Sequence, residues 1–182
     1  MRFVGVLLAL AVSGCAFVGM GGPSRTSSTL SPADAATSLI AGGPLVMTQT
    51  TPRDDGREGE DAVILMTLTR RDGRHLSFQQ ANHAPYDLMA QEAGGPLAQA
   101  MGLFGEEAPV LYARDRRATV DAPFICAPEG PAYLGVYRVE DGSVIVVGLE
   151  TSFGFEPTPD GGYAPLPYSP DQVCARMRFT GG

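Results

Sequence analysis

Two Asp-Gly pairs, Asp72-Gly73 and Asp141-Gly142, restrict this chain more than any other feature. Each lies between runs of strand-forming residues. Asp-Gly supplies the left-handed backbone of a tight reversal, so each pair predicts a β-hairpin and antiparallel pairing. The first hairpin joins the apolar run 62–66, with its alternating Thr67-Leu68-Thr69, to His75–Phe78. The second joins Tyr133–Val139 to Ser143–Leu149. Further strands are expected at Leu45–Thr50 and Pro109–Ala113. A closing strand is expected at 173–179, with Val173, Ala175, Met177 and Phe179 facing inward and Cys174, Arg176 and Arg178 outward.

Helical signals are fewer. Ser31 reads as an N-cap followed by Pro32 at the first helical position and Asp34 in the first turn, with Gly42-Gly43-Pro44 as the stop. Pro85-Tyr86-Asp87 opens a second helix that Gly94-Gly95-Pro96 closes, with Tyr86, Met89, Ala90 and Ala93 on one face. The pentapeptide Ala-Gly-Gly-Pro-Leu occurs at 41–45 and at 93–97, and reads as repeated helix punctuation rather than a duplication. Residues 156–170, rich in Pro, Gly and Tyr, read as a long loop. The expected fold class is α+β: a small, mostly antiparallel sheet built from hairpins, with two or three short helices.

The N-terminus carries a different kind of information. Arg2 is followed by ten almost wholly apolar residues, Phe3 to Val12, too few to span a bilayer, which takes about 20. Then comes Val12-Ser13-Gly14-Cys15. Charged start, short apolar run and four-residue box together resemble the signal peptide of bacterial lipoproteins, a resemblance confined to residues 1–15. It implies cleavage between Gly14 and Cys15, diacylglycerol (and usually further acylation, as palmitate) on Cys15, and a membrane held through that lipid. Two or more chains anchor stably. Ala16, where the lipoprotein class commonly uses Asp for inner-membrane retention, points to the periplasmic face of the outer membrane. The organisation expected is thus signal peptide 1–14, lipidated Cys15 with a flexible Gly/Ser/Thr tether through residue 30, and one globular domain over 31–182. The tether would span roughly 21 Å.

An exported chain meets an oxidising compartment, so Cys126 and Cys174 are expected to form a disulfide. Other chemistry is thinly represented. The two histidines, His75 and His83, are too few for a conventional metal centre, and neither a metal nor a cofactor is expected. His83 with Asp87 is the one acid/base pair on which a periplasmic hydrolase reading would rest. The acidic segment Asp54, Asp55, Glu58, Glu60 and Asp61 lacks the spacing of a calcium loop. Arginines gather at 70, 71 and 74 and again at 114, 116 and 117, where Asp72 and Asp115 offset them. The aromatics Phe155, Tyr163 and Tyr168 lie on the proline-rich loop and would suit partner binding.

With 13 basic residues, all arginine, against 20 acidic ones, the chain is at −7 and ill suited to nucleic acid, whose binding rests on cation contacts to phosphate. The expected function is a non-enzymatic envelope lipoprotein that binds a protein or cell-wall component, with no catalytic residue assigned.

Overall fold

A computed structural model describes residues 23–51, 64–80, 93–103, 108–115, 122–151 and 154–181. Cys15, the acidic segment 54–61, His83, Asp87, Arg116 and Arg117 lie outside them.

The hairpins do not build a small open sheet. Eight strands close into an antiparallel barrel: β1 (Ser24–Pro32), β2 (Leu45–Thr51), β3 (Leu65–Arg70), β4 (His75–Gln80), β5 (Val110–Arg114), β6 (Tyr133–Arg138), β7 (Val144–Leu149) and β10 (Val173–Thr180). Each strand pairs with its sequence neighbour, and β10 returns to lie between β7 and β1. The α+β expectation is therefore corrected to an all-antiparallel β-barrel. The two described helices, α1 (Ala35–Ala41) and α2 (Pro96–Met101), are too short and peripheral to form a layer of their own.

The strand that overturns the expectation is β1. Its sequence reads as tether, yet seven consecutive pairs, Ser24 with Thr51 through Leu30 with Leu45, bind residues 24–30 to β2. Of this strand only Leu30 is buried, so it lacks the apolar alternation by which a strand declares itself. The barrel begins at Ser24 rather than at residue 31, which shortens the stretch between Cys15 and the domain.

Side chains of one parity fill the barrel. Met47 lies across from Leu68, Met66 from Phe78, Tyr112 from Leu134, Val136 from Val146, and Val144 from Phe179. All are buried in one cluster. Eight strands enclose a space just wide enough for such side chains, and each fully buried Leu, Met or Phe contributes about 1.5–3 kcal/mol. Tyr112 brings its hydroxyl inside, where Gln49 Nε2 donates to it at 2.8 Å. Burial pushes its pKa above that of an ordinary phenol, partly offset by the Gln49 hydrogen bond.

The opposite parity of β5–β7 is also covered. Leu97, Ala98, Ala100 and Met101 of α2 pack with Leu111, Val147 and Leu149 on the outer face. Gly135 permits this approach, since a Cβ there would lie 2.6 Å from Leu97 Cδ1. Helix α2 starts where the sequence predicts a helix to stop: Gly95 is its N-cap and Pro96 its first residue. Proline suits that position because its missing N–H would have no intrahelical partner.

Helix α1 closes the seam between the first and last strands. β1 pairs with β10 only at Ser31 and Pro32. Beyond that point Ala33 N–H donates to Arg178 O and Arg178 N–H to Thr37 Oγ1, both at 2.9 Å, so side chain and backbone of the helical segment replace the missing ladder. The N-cap is Asp34, not Ser31: its carboxylate accepts from Thr37 N–H at 2.6 Å. That hydrogen bond holds Asp34 below the ordinary carboxylate pKa.

Both Asp-Gly reversals are tight loops. In each, the aspartate accepts from the N–H two residues on, Arg74 or Ser143, and the glycine takes a positive φ of 88° or 81°. Because strands alternate in direction, connections sort to two ends. The start of β1, the 139–143 turn and the last residues of β2 and β4 share one end. Helix α1, the 71–74 turn, residues 122–132 and the end of β7 share the other.

Candidate functional site

At the second end, residues 122–130 cross the barrel opening between β5 and β6. Phe124 and Ile125 insert into the interior cluster and stopper it. Cys126 comes next with φ of 52°, a left-handed conformation rare outside glycine, and joins Cys174 in a disulfide. Cys174 can reach it because β10 bulges there: Val173 pairs with Leu149 and Ala175 with the adjacent Gly148, leaving Cys174 as the extra residue. The bulge also corrects the expected facing of Val173, which packs in the outer cluster with α2 rather than inside. Gly148 makes room for the disulfide, since a Cβ on it would come within 2.7 Å of Cys126 Sγ.

The chain then turns tightly. Gly130 N–H donates to Cys126 O at 2.8 Å, and Arg114 donates from Nη1 to Glu129 O. At Gly130 the positive φ of 80° and the proximity of Pro123 Cβ, 2.9 Å from a notional Cβ, both demand glycine. This segment and the end of β7 enclose an open depression of about 410 Å³ lined by Cys126, Ala127, Pro128, Glu129, Gly130, Glu150 and Thr151. Two exposed glutamates, Glu129 and Glu150, rim it. Among the described residues no arginine forms a salt bridge with either.

From residue 154 the described chain forms an arm. The segment expected to be a loop contains a short hairpin, β8 (Phe155–Pro157) with β9 (Tyr163–Pro165). Leu166 N–H donating to Gly154 O at 2.9 Å prolongs the pairing. Its turn is tied by Asp160, whose carboxylate accepts from the Thr158 hydroxyl and lies 3.4 Å from Gly162 N. The Thr158 hydrogen bond holds Asp160 below the usual carboxylate range. Tyr163 and Leu166 are each 39% exposed on this arm, and Tyr168 at its base accepts from Arg176.

The other sequence candidates separate from this site. His75 opens β4 opposite Thr69 and is half-buried. Arg70 and Arg74 both pair with Asp72, at 3.5 and 2.9 Å, and the Arg70 guanidinium lies 5.5 Å above the Phe124 ring. These two arginines are therefore committed to the turn and to the residue that stoppers the barrel. Among the described residues no three His, Cys, Asp or Glu side chains gather in a metal-binding group, and no helix is long and apolar enough to cross a membrane.

Glu129 and Glu150 escape a reading of the sequence because they are far apart along the chain and carry no motif. The stretch between Arg138 and Arg176 holds six acidic residues and no basic one, but two of them, Glu140 and Asp141, lie in the turn at the other end of the barrel. The depression offers carboxylate oxygens as hydrogen-bond acceptors, and the arm carries the exposed Tyr163 and Leu166. No family model, curated protein or solved structure matches the chain.

Proposed function

We propose that this chain is a bacterial envelope lipoprotein whose barrel, held at the membrane by acyl chains on Cys15, binds a protein or cell-wall partner without catalysing a reaction. The observation that carries the reading is the coincidence of Arg2, the apolar run Phe3–Val12 and Val12-Ser13-Gly14-Cys15. The Cys126–Cys174 disulfide suits an exported protein, because such bonds persist in oxidising compartments. The described barrel interior is packed with side chains, so contacts with a partner would fall on its ends and outer surface. The location proposed is the periplasmic face of the outer membrane.

The test is intact-mass analysis of protein purified from membranes of its native host. The expected result is a chain beginning at Cys15 and carrying diacylglycerol, with Cys15→Ser moving the protein to the aqueous fraction. An unmodified amino terminus, or wild-type protein that fractionates with the aqueous phase, overturns the reading.

A further inference from the structure

We propose that the free edge of β1 over Ser24–Ser28 is an interface, and that its occupant is the same edge of a second copy of this chain. The two strands run antiparallel about a twofold axis between their Thr26 residues. The pairing follows from the backbone of β1. The lipoprotein reading, on which it rests only in part, adds that copies meet on one surface.

Register leaves this edge open. On one side of β1, residues 24–30 pair without interruption to β2. On the other side β10 pairs only with Ser31 and Pro32. Gly181 then approaches Thr29, whose carbonyl oxygen would lie 3.0 Å from a Cβ placed there. Among the described residues no strand pairs with that side of residues 24–28. The direction of the backbone groups is fixed as well. Pro32 has no N–H, and beside it Ala33 N–H donates to Arg178 O. Residues 31 and 33 therefore turn their N–H and C=O toward β10, and strand alternation turns those of Thr29, Ser27 and Arg25 the same way. Even-numbered residues serve β2. Arg25 and Ser27 thus hold out donors and acceptors on a strand whose residues 24–27 are exposed. Edges of this kind are commonly blunted by proline, lysine or a bulge. The run Ser-Arg-Thr-Ser-Ser has no proline or lysine, and its register with β2 is continuous.

Such an edge is matched by another extended backbone, and this one is its own complement. With Thr26 opposite Thr26, Arg25 of each copy faces Ser27 of the other, and Ser24 faces Ser28. Both Arg25 and Ser27 are hydrogen-bonding positions, so the two copies exchange about four backbone bonds. Arg25 lies opposite a serine rather than opposite its own counterpart. A register centred one residue later would set Thr29 against Arg25 and meet the end of β10 at Gly181. The ladder is small, below the roughly 1,200 Å² of a stable interface, so it needs help from confinement. Cys15 precedes Ser24 by nine residues, which reach at most about 31 Å. Copies anchored in one membrane therefore hold their edges within a thin layer, which raises their effective concentration.

The experiment uses the full chain in membranes of its native host, with single cysteines introduced on β1, mild copper-phenanthroline oxidation and non-reducing gels. Rates are taken above that of wild type. Opposed Thr26 residues form a non-hydrogen-bonded pair about 4.5 Å apart at Cα, within disulfide range. Thr26→Cys should therefore give linked dimer at least about tenfold faster than Thr29→Cys, whose thiols lie about 20 Å apart in the same register. Proline at 27 removes an N–H that faces the second copy and none that serves β2. Adding Ser27→Pro to Thr26→Cys should lower linking to the Thr29→Cys rate. Adding Ser27→Ala, which loses only the hydroxyl bonded to Thr48 Oγ1, should leave it within about twofold. A melt followed by circular dichroism shows whether the proline variant folds, and if it does not, the comparison of Thr26→Cys with Thr29→Cys decides alone. Equal rates for those two, or a folded proline variant that links as fast as Thr26→Cys, overturn the proposal. Intact mass of the same preparation reads the anchor separately. Register-specific linking with an unmodified Cys15 keeps the interface and removes the anchor, whereas lipid on Cys15 with equal rates does the reverse.

Discussion

Replacing both Cys126 and Cys174 by alanine tests how the segment that seals the barrel is held. The two residues are 48 apart in sequence, so the bond removes from the unfolded chain the freedom of a 48-residue loop. Loop-closure entropy puts that at about 4 kcal/mol at room temperature. The folded protein has little to compensate with: residues 122–130 contribute Phe124 and Ile125 to the interior cluster, and the rest is turn and surface. Alanine leaves no new polar atom beside the buried Gly148, so the change reports the cross-link rather than an unsatisfied group. For a chain of this size the thermal midpoint should fall by roughly 8–16 °C, monitored by far-ultraviolet circular dichroism. Wild type melted in dithiothreitol should approach the double variant. A midpoint within about 3 °C of the oxidised protein would refute the entropic reasoning. Wild-type melts indifferent to dithiothreitol would refute the bond itself.

Gly135→Ala should destabilise by about 1–3 kcal/mol through overpacking against Leu97. Combined with Leu97→Ala it should cost less than the sum of the two single changes, as read by urea denaturation; strict additivity would show that α2 does not rest on Gly135. Asp34, whose pKa is lowered on folding by its bond to Thr37 N–H, stabilises above its unfolded value of 3.8 and loses that contribution as pH falls through the folded value. Asp34→Ala should accordingly lower the midpoint at pH 7 and narrow the gap to wild type as pH drops below about 4, and a gap independent of pH would contradict it. Phe78→Ala, deep in the barrel, should cost about 3–5 kcal/mol, and a loss below about 1 kcal/mol would mean the interior is not closely packed.

The hairpins are readable because their signals are local: an Asp-Gly reversal and apolar alternation lie within a dozen residues or so. Closure is not, because it depends on β1, whose Ser/Thr-rich sequence derives its strand state from β2 rather than from a buried face of its own. The pentapeptide Ala-Gly-Gly-Pro-Leu makes the same point. At 41–45 it ends α1 and enters β2; at 93–97 it leads into α2. The two copies differ in their downstream neighbours, Val-Met-Thr-Gln-Thr in one place and Ala-Gln-Ala-Met in the other. Strand formers and helix formers resolve a Gly-Gly-Pro hinge in opposite directions. The disulfide partners are legible from compartment and count, but the bulge that turns Cys174 toward Cys126 is not, since it takes Val173 out of an alternation that Ala175, Met177 and Phe179 keep.

The closed barrel leaves its ends and its outer surface as the places a second molecule could touch. Its interior is occupied by side chains from every strand, and α2 covers the outer face of β5–β7. An antiparallel order that pairs each strand with its neighbour then leaves function to the connections, which divide between two rims. The rim nearer the N-terminus is constrained by whatever tethers that terminus. Among the described residues the far rim carries two apolar residues that join the core, a cross-link, a left-handed cysteine, a clamped Glu129 carbonyl and a proline-rich arm. Phe124 and Ile125 seal the opening, and the disulfide ties the segment that carries them to β10. The Cys126–Cys174 bond, the Gly130 N–H donating to Cys126 O and the Arg114 clamp on Glu129 O together fix the backbone around Glu129.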